Sequence, residues 1–246
     1  MNILVTGGTG TLGRLVTPLL RDAGHGVTVL SRTPVDGVAH VTADLRADKN
    51  IDLAGAETVL HLAGGPKGDD EATRNLVKAA VQAGVRHLVY ISVVGADRVP
   101  VGWLRTKYAA EQAIAESGLP WTTLRAAQFH NLTFDVAAKM TKLPIVPVPG
   151  GLRFQPVDAA DVAARLVELT LGEPAGLVND LVGPTVYGMG DLLRGYLRAS
   201  GRRRPMMPIR MPGKAGKSYR AGENLNLNGA DQGKRTWEDF LTDHLT

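Results

Sequence analysis

Cysteine is absent from this sequence, which excludes disulfides, thiol catalysis and cysteine-ligated metal. The His, Asp and Glu residues form no group with metal-ligand spacing either, so no metal site is expected. Long apolar runs are also missing. Nothing approaches the roughly 18 consecutive apolar residues that cross a bilayer, and no membrane association is expected. The N-terminal residues pass directly into a strand-like segment, without a basic stretch or a small-residue cleavage motif. A secretory leader is therefore not expected, and cytoplasmic residence is.

Acid is lacking from one long stretch. Positions 194–220 carry nine Lys and Arg residues and no Asp or Glu, while the rest of the chain has 19 basic against 24 acidic residues. This stretch alone turns a net charge of −5 into +4. Such a run can bind nucleic acid or an anionic substrate; the plainer reading is a solvated surface loop. No RNP, zinc-finger or helix-turn-helix pattern accompanies it, so a surface loop is expected and a nucleic-acid partner is not. Apolar residues, by contrast, make up 44 % of the 246. That suffices for the core of one α/β domain with a small extra lobe.

The pattern along the chain alternates strand and helix. Ile3 to Val5 is a buried strand ended by Thr6-Gly7-Gly8. Leu12, Leu15, Val16, Leu19, Leu20 and Ala23 form a helical stripe, in which Pro18 should cost a hydrogen bond, and which stops at Gly24. Strands follow at Val27 to Leu30, Val38 to Thr42, Thr58 to Leu62, Leu88 to Ser92 and Trp121 to Arg125. Helices are expected at Asp70 to Ala83 and Lys107 to Ser117. This alternation builds a doubly wound parallel sheet of Rossmann type. After about residue 130 the pattern loosens. The proline-rich stretch from Leu143 to Gly151 makes a poor central strand. Asp158 to Leu171 and Met189 to Ala199 read as helices, Leu177 to Val182 as a strand, and 201–235 as loop. We read 1–246 as a single domain, with 1–128 mainly a dinucleotide-binding core and 129–157 and 183–246 mainly a substrate lobe and loops.

The segment Ile3-Leu-Val-Thr-Gly-Gly-Thr-Gly-Thr-Leu-Gly13 sets glycines at 7, 10 and 13 between a buried strand and an amphipathic helix. In that context Gly7 permits a tight turn, Gly10 lets a pyrophosphate approach the backbone, and Gly13 lets helix pack on strand. The helix N-terminus adds free N–H groups and a positive dipole end. A mononucleotide P-loop would need Gly-Lys-Ser/Thr, whereas Arg14 and Leu15 follow Gly13. An acid is missing from the end of the second strand, where an NAD-selective site binds the ribose 2′-hydroxyl. Ser31-Arg32 stands there instead and suits a 2′-phosphate, unless Arg32 simply faces water. NADP(H) is expected over NAD(H).

With these residues placed, the chain resembles the NmrA-like and other atypical members of the short-chain dehydrogenase/reductase superfamily. The resemblance covers roughly residues 1–200. It is carried by the glycine turn together with Ala43-Asp-Leu45, His61-Leu-Ala-Gly-Gly65, Asn75, Tyr90-Ile-Ser-Val-Val-Gly95, Lys107-Tyr-Ala-Ala-Glu111, Leu124-Arg-Ala-Ala-Gln-Phe129 and the stretch Phe154 to Val162. It implies that the turn residues Gly7, Thr9, Gly10, Thr11, Leu12 and Gly13 hold the dinucleotide. It further implies that Asp44 and Leu45 flank its adenine, and that Leu62, Ala63 and Gly64 line its ribose side. Ser92, Lys107 and the segment containing Ala126, Gln128 and Phe129 would approach the nicotinamide. Asn75 would either support the cofactor or lie on a helix surface.

One group that the superfamily uses is missing. Its catalytic helix carries Tyr-x-x-x-Lys, and four residues before Lys107 stands Trp103. An indole N–H donates but releases no proton at neutral pH, and Tyr108 lies far round the helix from that position. Isoflavone-reductase-like and triarylmethane-reductase-like relatives also dispense with the tyrosine. The catalytic candidates are then Lys107, Ser92 and Trp103, with Lys107 acting on the proton side of the reaction or as a ribose ligand. His130 is a candidate acid or a hydrogen-bonded loop histidine. His61 reads as core, and Asp158 as a helix cap. The expected function is NADPH-dependent reduction of a small organic acceptor such as a quinone, an enone or another conjugated compound. A non-enzymatic NADP(H)-binding regulator is the alternative, and a sugar-nucleotide epimerase or dehydratase is less favoured.

Overall fold

In a computed structural model of the chain, the described residues are 1–34, 36–48, 50–65 and 67–245. The elements in chain order are β1 (Asn2–Thr6), α1 (Gly13–Asp22), β2 (Gly26–Ser31), β3 (Ala39–Thr42), β4 (Thr58–His61), α2 (Asp69–Ala83), β5 (His87–Val93), α3 (Gly102–Ala115) and β6 (Trp121–Ala126). They continue with α4 (His130–Met140), β7 (Val146–Pro149), β8 (Arg153–Phe154), α5 (Ala159–Leu171), β9 (Gly176–Leu177), β10 (Leu181–Val182) and β11 (Tyr187–Gly188). The last are α6 (Met189–Ala199), β12 (Met206–Ile209), α7 (Gly213–Ala221), β13 (Asp231–Gln232) and α8 (Trp237–Leu245). The chain divides into two compact units, one of residues 1–92, 102–125 and 162–178, the other of 93–101, 126–161 and 179–246.

The first unit holds a parallel sheet with the strand run β3-β2-β1-β4-β5-β6 and β9 beside β6. This is the Rossmann order. β1 and β4 are neighbours although β2 and β3 intervene in sequence, so the chain reverses its direction of winding there. Ligands of such sheets sit outside the carboxyl ends of the strands at that reversal. The strands read as apolar runs because both faces are covered: Ile3, Leu4, Val5, Val59, Leu60, Leu88 and Val89 are all buried. On one face, Leu4, Leu76, Leu88, Tyr90, Ala110 and Ile114 join a single core through which α2 and α3 pack. α1 runs unbroken through Pro18, which is solvent-exposed, although Leu19 of the expected stripe is also exposed.

The second unit is built differently. β7 and β12 pair in parallel, β8 and β11 antiparallel, and β13 lies beside β10. Its core gathers Val146, Tyr187, Leu193, Tyr196, Trp237 and Phe240. Here several sequence expectations need correction. Positions 201–235 are not loop throughout: β12, α7 and β13 lie within them. The expected strand from Leu177 to Val182 is two short strands, because Asn179 and Asp180 part them. The helix expected from Lys107 begins a turn earlier, at Gly102. Among the described residues no helix is long and apolar enough to cross a membrane.

Candidate functional site

The turn after β1 is shaped by backbone contacts that no side chain could share. Gly7 takes a φ of +70°, and a Cβ on it would lie 2.7 Å from the Ala63 nitrogen. The turns after β1 and β4 therefore meet backbone to backbone at the reversal point. A Cβ on Gly13 would lie 2.3 Å from the Gly7 carbonyl oxygen, so α1 packs on the turn itself. Gly10 differs. It is exposed, and its Cβ would meet only the Gly7 oxygen, at 3.3 Å. Thr9 and Thr11 are exposed beside it and Leu12 is buried. α1 has no side-chain cap and no acid in its first turn, which leaves its positive dipole end without an internal anion. A pyrophosphate fits these features. The Arg14 Nε donates to the Thr9 carbonyl at 2.9 Å, which adds a cation beside the turn that motif counting overlooked.

At the end of β2 the Ser31 hydroxyl donates to the Thr33 carbonyl at 2.6 Å and lies 3.0 Å from His40 Nε2. Arg32 is exposed and has no ion-pair partner among the described residues. His40 was not expected here; the β2–β3 register brings it in, setting His40 opposite Val29. After β3, the Asp44 carboxylate accepts the Arg46 N–H at 2.9 Å. The Asn75 amide donates to the Leu45 carbonyl at 2.8 Å, so Asn75 fixes the Ala43–Leu45 backbone and is no idle surface residue.

The turn after β4 is held by a directional chain of hydrogen bonds. The Ala63 N–H donates to Thr6 Oγ1 at 3.1 Å, and Thr6 Oγ1 lies 2.7 Å from His61 Nδ1. His61 Nε2 lies 3.0 Å from Thr73 Oγ1, whose proton goes to the Asp69 carbonyl at 2.7 Å. Thr73 spends its proton on that carbonyl and so accepts from His61 Nε2–H. His61 Nδ1 then accepts from Thr6. The ring is thus neutral and carries its proton on Nε2. Burial lowers its pKa to about 4; the Asp69 charge pulls it upward by less, and the Lys107 charge adds to the lowering. His61 is core, as expected.

Lys107 reaches this turn from α3. Its ammonium lies 2.9 Å from Asp69 Oδ2, donates to the Ile91 carbonyl at 3.3 Å, and sits 4.9 Å from the Tyr90 ring centroid. A Cβ on Gly64 would come within 3.0 Å of it, and Leu62 and Ala63 are half-buried alongside. The Tyr90 hydroxyl donates to the same Asp69 oxygen at 3.2 Å. Burial first, and then the Asp69 charge, push that phenol well above its ordinary pKa. Trp103, one turn before Lys107, is half-buried, and Tyr108 is exposed on the helix. Ser92 is buried, and its hydroxyl donates to the Glu111 carboxylate, which Arg125 grips with two donors at 2.9 and 2.6 Å. Asp69 thus pairs with Lys107, and Glu111 with Ser92 and Arg125, and the sequence assigned no role to any of the three.

The other expected residues belong to the second unit. The Ala126 carbonyl accepts the Val94 N–H, the Gln128 carbonyl accepts the Val157 N–H at 3.0 Å, and Phe129 bridges to Val157. His130 is fully buried against Trp237 and Phe240, with Nδ1 3.9 Å from Asp158 Oδ2. It is therefore not a loop histidine. Asp158 does cap α5, accepting the Ala160 N–H at 2.8 Å. The His130 ring beside it, that N–H and Arg235 hold its carboxyl below the ordinary range, against its burial.

Residues 7–171 match the model of an NAD(P)H-binding family. The chain belongs to that family. It is 34 % identical over 182 residues to the (4-alkanoyl-5-oxo-2,5-dihydrofuran-3-yl)methyl phosphate reductase of Streptomyces griseus. That match covers 69 % of this chain and 63 % of the relative, so the chain spans less than two thirds of that protein's length. It is 29 % identical over 215 residues to the NAD(P)H azoreductase of Xenophilus azovorans, covering 81 % and 74 %. A crystal structure of an NADPH-dependent quinone oxidoreductase of Escherichia coli, complexed with NADPH, aligns over 99 % of this chain and all of that one, with a TM-score of 0.82 at 20 % identity. This last likeness is one of fold.

Proposed function

We propose that the chain is an NADPH-preferring reductase of conjugated, electron-poor small molecules. The observation that carries this reading is the state of Lys107 and its surroundings. The ammonium is paired with Asp69, and the position one turn before it holds an indole. Neither group is a free acid aimed at a substrate oxygen. A simple ketone would leave a localised alkoxide and need such an acid. A quinone or an enone spreads the new charge over its conjugated system, and solvent can protonate it afterwards.

When bound, the nicotinamide supplies the hydride. The chain's own residues do the rest. The α1 N-terminus and the turn from Gly7 to Gly13 hold the pyrophosphate, and the Arg32 guanidinium with Ser31 takes the 2′-phosphate. The exposed, unpaired Arg32 and the missing acid at that strand end support this preference. Asp44 and Leu45 flank the adenine, on a backbone that Asn75 steadies. Lys107, oriented by Asp69, grips the ribose and keeps a positive charge near the reacting ring. Ser92 acts through Glu111 and Arg125 to hold the ends of β5 and β6. Trp103 offers a flat apolar wall for an aromatic acceptor.

The relatives support this choice of acceptor. The Streptomyces enzyme is named for a dihydrofuran whose ring double bond is conjugated with carbonyl groups, the others for azo compounds and a quinone. The test is NADPH oxidation followed at 340 nm against a panel of quinones, enones and azo dyes, with cyclohexanone as the counter-case. Turnover of conjugated acceptors without turnover of the ketone is the expected result. Efficient ketone reduction would refute the acid argument. Tight NADPH binding with no turnover of any acceptor would favour a cofactor-sensing regulator, a role compatible with the pairing of Ser92 with Glu111 and of Lys107 with Asp69.

A further inference from the structure

The basic stretch that sequence reading took for a solvated loop is organised. β12 ends at Ile209, a three-residue turn of Arg210, Met211 and Pro212 follows, and α7 starts at Gly213. A cavity of about 790 Å3 opens within this second unit, lined by Arg210, Pro212, Gly213, Lys217, Arg220 and Ala221. Three cations and no acid line it. Ordinary surfaces intersperse the two signs, because unpaired like charges repel at short range.

The cations are not equivalent. Arg220 is half-buried, and its Nη1 donates to the Met211 carbonyl at 2.9 Å. Its stem lies against Gly151, where a Cβ would come within 3.2 Å. That guanidinium is fixed before any ligand arrives, with donors to spare. Arg210 and Lys217 are exposed and have no ion-pair partner among the described residues, so they are available to close on a ligand. α7 adds a third feature. It has no side-chain cap and no acid in its first turn, so its positive dipole end faces the solvent uncompensated. Strand, short turn, uncapped helix and convergent cations together repeat the logic of the turn after β1, in a part of the chain beyond residue 171, where the family match ends.

We propose that this cavity binds a phosphate dianion, with Arg220 as the preformed fork and Arg210 and Lys217 as mobile charges. A planar guanidinium donates two parallel hydrogen bonds to phosphate, and a nearby ammonium neutralises the second charge. The dianion can arrive free or as the monoester of a small organic molecule. The three cations converge on one turn and one short helix, and this favours either over a nucleic-acid backbone, which needs an extended basic track.

The test is isothermal titration calorimetry of the full chain saturated with NADPH, so that the turn after β1 is already filled. Inorganic phosphate, phenyl phosphate and phenol are titrated in turn. Saturable binding of phenyl phosphate at one site per chain is expected, with none of phenol. Weaker binding of inorganic phosphate would identify the monoester as the preferred form, and equal binding would identify free phosphate. The double variant Arg210→Met/Lys217→Met, both at exposed positions, should weaken that binding at least tenfold, the loss expected from removing charge-assisted hydrogen bonds. NADPH affinity should stay within twofold. No saturable binding of either phosphate, or binding unchanged in the double variant, would overturn the proposal. So would a 20-base-pair DNA duplex that binds and displaces phenyl phosphate, since the surface would then serve nucleic acid. None of these readouts requires turnover, so the proposal stands or falls apart from the reductase reading.

Discussion

Replacing Asp69 by Asn tests whether Lys107 is held by charge. The Lys107 side chain is 11 % exposed and that of Asp69 1 %, so the pair is nearly dry and solvent screening is weak. Removing one partner of a buried ion pair costs about 3–5 kcal/mol, because the other charge is left uncompensated. Asn keeps the shape and one acceptor, and the Ile91 carbonyl and the Tyr90 face remain. The lower end, about 3 kcal/mol, is therefore expected. For a chain of this size that is a fall in Tm of roughly 6–12 °C. Lys107→Met should cost a similar amount, since it strands the Asp69 carboxylate with only the Tyr90 hydroxyl and the start of α2 to support it. The double variant should cost far less than the two single changes together, because neutralising both charges leaves neither one buried without a partner. Urea unfolding of the four proteins without cofactor gives the coupling directly, and about 2 kcal/mol or more is expected. Additivity within about 0.5 kcal/mol would mean that the two groups are neighbours and nothing more, and the orienting role given to Asp69 would fall with it.

Three further outcomes follow from the same geometry. Arg32→Ala should weaken NADPH binding about tenfold or more and leave NADH nearly unchanged, the loss of one charged hydrogen bond being about 1.5–3 kcal/mol; equal affinities of the wild type for the two cofactors would refute the preference. Gly10→Val should give a folded protein by circular dichroism that binds neither cofactor, since only the Gly7 oxygen crowds that position from within; retained tight binding would make the turn purely structural. Stability should fall with acidity in a window set by His61. Its unfolded value is 6.5 and its folded value about 4, so the unfolded state binds the extra proton between them. That contribution is complete above pH 6.5 and lost as the pH falls through 4, up to about 3 kcal/mol in all. Urea midpoints measured from pH 7 to 4 should show this slope, and His61→Asn should flatten it.

The first unit was legible because its strands are covered on both faces and its helices on one. Ile3 to Val5 and Leu88 to Ile91 are runs without a charged residue, and in Val27 to Leu30 only Thr28 interrupts the apolar run. The second unit offers no such contrast. β12 is Met206-Met-Pro-Ile, exposed and proline-bearing at a position that suits only a small sheet. α7 contains Gly213 and Gly216, among the poorest helix formers. α8 did carry a signal that went unread: the Thr236 hydroxyl and the Asp239 carboxylate cap each other's N–H at 3.2 and 2.9 Å, a capping box written as Thr-Trp-Glu-Asp. Within the site, the glycine turn and Lys107 stood out by their motifs. Asp69 did not, because Asp69-Asp70-Glu71 at the start of α2 looks like any acidic first turn that complements a helix dipole. Only the fold distinguishes the one carboxylate that turns inward.

That inward turn links the two halves of the dinucleotide site. Asp69 serves its neighbours through two different groups, and Tyr90 shares the carboxylate. Its carboxylate holds the Lys107 ammonium, and its carbonyl takes the Thr73 proton and so fixes the direction of every hydrogen bond back to Ala63. The direction matters because Thr6 Oγ1 already accepts from Ala63 and gives its own proton to His61. A protonated His61 would present a donor where Thr6 needs an acceptor, so burial and hydrogen-bond order both keep the ring neutral. Ala63 in turn lies against Gly7, with no room for a Cβ between them. The turn proposed for the pyrophosphate and the lysine proposed for the ribose are therefore referenced to one residue at the head of α2. A chain that binds an extended cofactor along the ends of two adjacent strands needs those ends kept in register. Here a satisfied buried polar chain does so where apolar packing, which is tolerant of small slips, would not.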